Sequence, residues 1–460
     1  MISAFLARTG AAADRIVRRF MPDPFALVLA LTLVALALGF LVFPGTSAGD
    51  KALALERAWT DGFGNPEILK FGLQIILIVV TGEAIAASPP ARRALAWLTA
   101  LPRTRPQAVL LVTIYALVTG WLHWGFGLVS SALLAREVAR SCAGRGIALH
   151  YPLLGMGAYT SMLLWHAGLT ASAPLLMNTE KNFVSDVLGL HGAAAKVPLT
   201  QTIFAPYNLA ACLALLLFVP PVVLALHPPD RDIAAADLAA LPLEEDVPSA
   251  PATTLAEFLD STRLLTFVVG ALGLLFLPLY LHAHGFDLNH NVVNCTFLML
   301  GMLLHRSPVR YARAISQSVR GVGGIVLQFP FYGGILAIMS ASKLSEVIAR
   351  AFVAASSAHH TLPFFTFLAS IVTKGFVPSG AGEWAVEGPV MLKAAQALGV
   401  SYGKVTMGVA YGNMLGNMIQ PFWSLPLLGL MGLRARDIMG YGLVLFAVCF
   451  PILAAALLLA

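Results

Sequence analysis

The chain has 460 residues, of which 58% are hydrophobic and only 11% charged. A soluble domain cannot enclose that much apolar surface, so the composition excludes an ordinary globular protein and indicates an integral membrane protein. The net charge of +6 resides mostly in arginines between apolar runs, so it reads as membrane topology and not as a surface for nucleic acid.

In chain order, residues 1–23 carry Arg8, Arg15, Arg18 and Arg19 interleaved with Ile2, Phe5, Leu6, Ile16, Val17 and Phe20. This pattern predicts an amphipathic cytoplasmic segment lying at the interface, not a cleaved signal. Apolar runs at 24–43, 71–88, 201–226, 263–282, 291–305, 320–342 and 437–459 are candidate spanning helices. Two further stretches, 107–141 and 363–395, have apolar arms around Gly-rich centres, Trp121 to Gly127 and Val377 to Gly382, and each is predicted to be a re-entrant hairpin. For the first, Arg92, Arg93, Arg103 and Arg105 precede it and Arg136, Arg140 and Arg145 follow it, which keeps both ends on the cytoplasmic side. The stretches 151–178 and 402–428 are interrupted by polar or Gly-rich centres and are predicted to be broken helices. Cys142, Cys212, Cys295 and Cys449 lie far apart, which predicts free thiols without a disulfide or a zinc site.

The chain contains two related halves. The frame Ala158-Tyr159-Thr160-Ser161-Met162-Leu163, with Ser172-Ala173-Pro174-Leu175-Leu176 after it, returns as Ala410-Tyr411-Gly412-Asn413-Met414-Leu415 with Ser424-Leu425-Pro426-Leu427-Leu428. A weaker echo pairs Leu73-Gln74 and Ala87-Ser88 with Leu327-Gln328 and Ala341-Ser342. The expected fold is an all-α polytopic membrane protein of two inverted repeats, each with a re-entrant hairpin and a broken helix, with about nine full spans plus the two hairpins. The first repeat covers 24–226 and the second 291–460. Residues 227–290 join them as a polar cytoplasmic linker, with Asp230, Asp232, Glu244, Glu245 and Asp246, followed by a connecting helix at 263–282 that inverts the second repeat. Counting crossings places the N-terminus in the cytoplasm and the C-terminus in the periplasm.

A helix that starts inside a membrane leaves its first N–H groups unpaired and carries about half a positive charge there, which suits a carboxylate. Gly125 and Gly127 at the first tip, and Ser379, Gly380 and Gly382 at the second, allow a ligand close to the backbone; the other reading of these glycines is tight helix packing. Ser130, Ser131, Ser172, Ser379, Asn413, Asn417 and Gln420 offer oxygens to a small cation or, equally, bonds to a neighbouring helix. Glu383 and Glu387 are one turn apart after the second tip. They are either a proton or cation site, or a dipole partner at the start of the return arm with Glu387 at a watery mouth near Lys393. His123 and His166 fall at the first tip and the first break, where each could donate to a carboxylate, shuttle a proton or simply pack. Trp121, Trp124, Trp165, Trp384 and Trp423 surround the same irregular places, as walls of an apolar pocket or as an interface belt. The chain has no nucleophile elbow, phosphate-binding loop or paired His ligands, which speaks against an enzyme.

Met21-Pro22-Asp23-Pro24, Val80-Thr81-Gly82, Trp124-Gly125-Phe126-Gly127-Leu128-Val129, Ala135-Arg136-Glu137-Val138-Ala139-Arg140 and Tyr151-Pro152-Leu153-Leu154 resemble the bacterial short-chain fatty acid transporter family. So do Gln328-Phe329-Pro330-Phe331-Tyr332, Val377-Pro378-Ser379-Gly380, Gln420-Pro421-Phe422-Trp423 and Arg436-Asp437-Ile438-Met439-Gly440-Tyr441. The resemblance is collinear and runs nearly end to end. It implies uptake of small monocarboxylates such as acetoacetate or butyrate across a bacterial inner membrane, within a superfamily of ion-coupled inverted-repeat carriers that are typically dimers with a moving transport domain. The chain departs from the family pattern at His123, Glu383, Glu387, Asn413 and the run Trp165-His166-Ala167-Gly168.

The expectation is therefore an elevator-like secondary carrier, without cofactor, coupled to a proton or a sodium ion. Substrate is assigned to His123, Trp124, Gly125, Gly127, Ser379, Gly380, Gly382, Trp384, Asn413 and Gln420, and the coupling ion to Ser130, His166, Glu383, Glu387 and Asn417. An exchanger of another organic anion or of cations is the alternative in the same class; a channel and a membrane-embedded enzyme are the alternatives outside it.

Overall fold

The computed structural model describes residues 2–44, 47–179, 182, 188–190, 195–237, 253–284, 290–356 and 361–459. Among them all regular structure is helical. The predicted amphipathic segment is α1 (Ile2–Phe20), which packs on the last helix of the chain. Next, α2 (Pro24–Val42) starts where an Asp23 side-chain oxygen accepts the Phe25 N–H at 2.8 Å and where Pro24 has no N–H to satisfy. It is followed by α3 (Ala48–Phe63), α4 (Pro66–Ala87) and α5 (Pro89–Ala100). The first predicted hairpin consists of α6 (Arg105–Leu122) and α7 (Trp124–Gly144), which fold back on each other about His123. Gly127 and Gly120 face each other so closely that a Cβ on Gly127 would lie 2.6 Å from the Gly120 Cα.

The first predicted break separates α8 (Tyr151–Tyr159) and α9 (Ser161–Leu164) from α10 (Ser172–Met177), with one 3-10 turn at Trp165–Ala167. Then come α11 (Pro206–Ala225), α12 (Leu255–Ser261) and α13 (Arg263–His284). Of the predicted linker, Glu244, Glu245 and Asp246 lie outside the described residues. The second half runs through α14 (His290–His305), α15 (Pro308–Ser318), α16 (Gly323–Ala341) and α17 (Leu344–Ala355) to the second predicted hairpin, α18 (Leu362–Lys374) and α19 (Gly380–Leu398). It ends with the second broken helix, α20 (Tyr402–Gly416) and α21 (Ser424–Met431), and α22 (Ala435–Leu458).

Among the described residues, five helices are long and apolar enough to cross a membrane alone: Pro24–Val42, Arg105–Leu122, Pro206–Ala225, Arg263–Ala283 and Ala435–Leu458. A sixth results if Gly72–Ile85 and Pro89–Ala100, bent by 69°, are one span. Of the other runs expected to span, that at 291–305 forms an apolar helix of 16 residues (α14) and that at 320–342 one of 19 (α16). The first arm of the first hairpin, α6, is itself in the crossing class.

The order of elements recurs: an apolar helix, a shorter polar-faced helix, a second apolar helix, a short helix, a hairpin and a broken helix run from α2 to α10 and again from α14 to α21. Packing between the halves is reciprocal. α2 and α3 pack on α16 of the second half, while α14 and α15 pack on α4 of the first; α21 packs on α7, and α10 on α19.

An extensive, close seam joins α18 to α20. Gly408, Gly412 and Gly416 line one face of α20 at four-residue spacing, and a Cβ on Gly412 would lie 2.4 Å from Ser370 Cβ and 2.5 Å from the Phe367 carbonyl oxygen. At Gly416 it would lie 2.5 Å from Lys374 Cγ. With little hydrophobic drive between helices in lipid, close backbone approach of this kind is what holds them.

Candidate functional site

The first tip begins with His123, which caps α7: its Nδ1 accepts the N–H groups of Gly125 at 3.1 Å and Phe126 at 3.2 Å. Trp124 N–H donates to Thr170 Oγ1 at 3.1 Å, and Gly127 N–H to the His123 carbonyl at 2.8 Å. The amides at this helix start are thus taken by the protein itself.

At the second tip, Ser379 caps α19 by accepting the Gly382 N–H at 3.2 Å, and its carbonyl accepts Glu383 N–H at 2.8 Å. Among the described residues, the N–H groups of Gly380 and Ala381 make no hydrogen bond. Two donors at the positive end of a 19-residue helix are therefore available to an anion here, and none at the other tip.

The two tips and two breaks converge. A Cβ on Gly380 would lie 2.6 Å from His166 Cε1 and 2.9 Å from the Trp165 ring, so the second tip rests on the first break. Trp423, from the second break, donates its Nε1–H to the Pro378 carbonyl at 2.8 Å. Its ring lies 5.0 Å from that of Trp124 at the first tip and 6.5 Å from that of Trp165, with Trp124 and Trp165 6.4 Å apart. One indole from each of three interruptions, with the fourth supplying the tip backbone, makes a largely apolar wall beside free amides.

Behind the tip runs a fully buried polar chain. Lys374, the last residue of α18, donates from Nζ to the Pro378 carbonyl and, at 3.2 Å, to Asn413 Oδ1. Asn413 Nδ2 donates to Glu383 Oε2, and Ser370 Oγ contacts both Glu383 Oε1 and, at 2.9 Å, the Val409 carbonyl. Thr373 Oγ1 donates to Glu387 Oε1, whereas Glu387 Oε2 has no hydrogen-bond partner. His166 accepts the Ala173 N–H on Nε2 at 3.2 Å and lies within electrostatic reach of Lys374. Every side chain in this chain has 0% exposure. Burial of two carboxyl groups against one ammonium is costly unless a proton or a cation balances the charge, so this is where a charge-linked event is most readily placed.

Of the residues assigned from sequence, Trp124, His166, Ser379, Gly380, Gly382, Glu383, Glu387 and Asn413 come together here. His123 and Gly125 form the opposing cap, and Gly127 fills the close approach to α6. Asn417 sits beside them, donating to the Met162 carbonyl at 3.4 Å, and Gln420 reaches Tyr332 Oη at 3.3 Å on α16. Two assigned residues lie apart: Trp384 belongs to a separate apolar cluster with Ala173, Met177, Leu392 and Val409, and Ser130 Oγ donates back to the Phe126 carbonyl at 2.6 Å. Glu387 is enclosed, and Lys393 lines a different cavity between α16, α17 and α19, which leaves the watery-mouth reading of Glu387 without support.

Sequence reasoning missed Lys374, Ser370, Thr373 and Thr170. A signal existed for Lys374, since a lysine four residues before Pro378 at the end of an apolar run is a candidate functional residue in its own right.

Residues 5–460 match the family described as Short chain fatty acid transporter. A relative in Escherichia coli K12, provisionally named a short-chain fatty acid transporter, is 39% identical over 93% of this chain and 93% of its own length. One in Haemophilus influenzae with the same provisional name is 37% identical over 92% of this chain and 93% of its own. The crystal structure of the YdaH transporter of Alcanivorax borkumensis aligns with a TM-score of 0.46 and 15% identity over 95% of this chain and 97% of that one. The family match over nearly the whole sequence makes this a transport protein and not an enzyme, and the chain belongs to the short-chain fatty acid transporter family.

Proposed function

We propose that the protein carries small monocarboxylates such as acetoacetate or butyrate across a bacterial inner membrane as a cation-coupled secondary carrier. The observation that supports this most is the meeting of four interrupted segments around two unbonded amides, those of Gly380 and Ala381, with three indoles beside them and a buried charge cluster behind. In this reading the carboxylate sits at the second tip and the short acyl chain against Trp124, Trp165 and Trp423, while the polar chain around Glu383 and Glu387 takes the coupling ion.

The wider organisation belongs to the same proposal. Reciprocal packing of two halves with a recurring element order supports inverted repeats over 24–226 and 291–460, with both hairpins re-entrant and α13 inverting the second repeat. The N-terminus is then cytoplasmic and the C-terminus periplasmic. The hairpins and broken helices move as one body against the remaining helices, in a homodimer.

Uptake of labelled butyrate and acetoacetate into proteoliposomes containing the purified full-length protein tests the reading. Saturable uptake driven by an imposed cation gradient is expected. Flux that does not saturate would instead indicate a channel, and uptake of other anions or of cations would move the assignment to a different carrier.

A further inference from the structure

The oxygen atoms around Lys374 Nζ have the composition of a small-cation site. A carbonyl released by the tip (Pro378), a side-chain amide oxygen (Asn413) and, one hydrogen bond further, a carboxylate (Glu383) converge on a position fully closed to solvent. Hard oxygen donors of this type, drawn from a helix break and its neighbours, hold sodium in carriers that use it. Here the place is filled by a group that the chain supplies. The Lys374 stem passes directly over Gly416, where even a methyl group would overlap Cγ.

We propose that Lys374 is this carrier's own fixed cation, standing where a coupling metal ion would bind, so that transport is driven by protons held on the Glu383 and Glu387 pair and does not require sodium. This deepens the carrier reading above and rests on it. The proton enters as H+ from the outer solution, sits on one carboxyl oxygen of the pair while substrate is bound, and leaves to the inner solution. No bond of the substrate is made or broken. The titratable group facing the pair is Lys374 from α18, and His166 from the first break lies toward Lys374 and Asn413. Lys343, Glu346 and Arg350, around and within α17, line the opposite face of α19 together with Lys393 and do not face it. The unpartnered Glu387 Oε2, with 0% exposure for the residue, is the oxygen best placed to carry the proton.

The test uses wild-type protein in proteoliposomes, with sodium replaced throughout by choline. Uptake of labelled butyrate driven by a pH gradient, inside alkaline, is expected to stay within about twofold of its rate in sodium, whereas a sodium gradient at equal pH drives none. Uptake that follows sodium, or that ignores the pH gradient as well, overturns the inference while leaving the carrier reading intact. Absence of uptake of any short-chain carboxylate would instead sink the carrier reading. In the second arm, Lys374→Met is expected to lower pH-driven uptake by more than about tenfold, and full retention of the wild-type rate by that variant would also overturn it.

Discussion

Tyr159 and Tyr411 hold the same position in the two copies of the repeated motif, and each reaches into the opposite half. Tyr159 Oη donates to the Asn417 carbonyl at 3.1 Å, and Tyr411 Oη to Asn208 Oδ1 at 2.9 Å. Both rings are completely buried. Replacing either by Phe keeps the ring and removes only the bond, so each change is expected to lower stability by about 0.5–1.5 kcal/mol. Thermal unfolding of the purified variants in detergent measures this, and unchanged midpoints for both would show that the paired bonds do not hold the halves together.

The seam between α18 and α20 leads to a larger effect. Gly412→Ala must push Ser370 and Phe367 aside, and an expected loss of about 1–3 kcal/mol follows from overpacking. Gly144→Ala, at a position with open space around it, serves as the control and is expected to be neutral. Equal stability of the two variants would mean that the seam can spread without cost.

His123 acts here as a helix cap. His123→Ala should therefore cost about 1 kcal/mol, while His123→Asn, which supplies another acceptor at the same place, should cost little. If the Asn variant unfolds as readily as the Ala variant, the ring contributes through packing against Trp124 instead.

At the second tip, Gly382→Ala meets only ordinary contacts, the nearest at 3.4 Å, and should leave stability unchanged. Gly380→Ala drives a methyl group into His166 and Trp165 beside the unbonded amides. Uptake should fall by about tenfold or more for Gly380→Ala and much less for Gly382→Ala. Equal losses would argue against a carboxylate seated on the Gly380 and Ala381 amides.

Glu383→Gln can still bond Ser370 and Asn413 but holds no exchangeable charge. Its expected signature is a flattened pH profile of uptake with an unfolding midpoint close to that of wild type. A pH profile that keeps its shape would remove Glu383 from coupling.

Hairpins and breaks are readable from the chain because clusters of Gly, Ser and Pro within an apolar run interrupt the helix and free backbone groups that lipid cannot satisfy. His166, Gly380, Glu383 and Asn413 are found in this way, since each lies within a few residues of an interruption. The short helices α3, α5, α15 and α17 are not, because brief polar-faced segments between apolar runs have the composition of loops. Lys374 escapes notice because a single lysine at the end of an apolar run resembles one that reaches for the interface; only the fold shows it enclosed by Pro378 and Asn413. Trp384 groups with the other indoles by sequence distance to the tip, yet helical rotation turns it toward Leu392 and Val409.

The exchange in which α2 and α3 lie on α16 while α14 and α15 lie on α4 has a consequence for biosynthesis. The ribosome finishes the first half before α14 and α15 exist, so the face of α4 that they cover stays without its partners until the second half is made. A gene cut within the linker should therefore yield two fragments that are degraded when made singly and persist when made together.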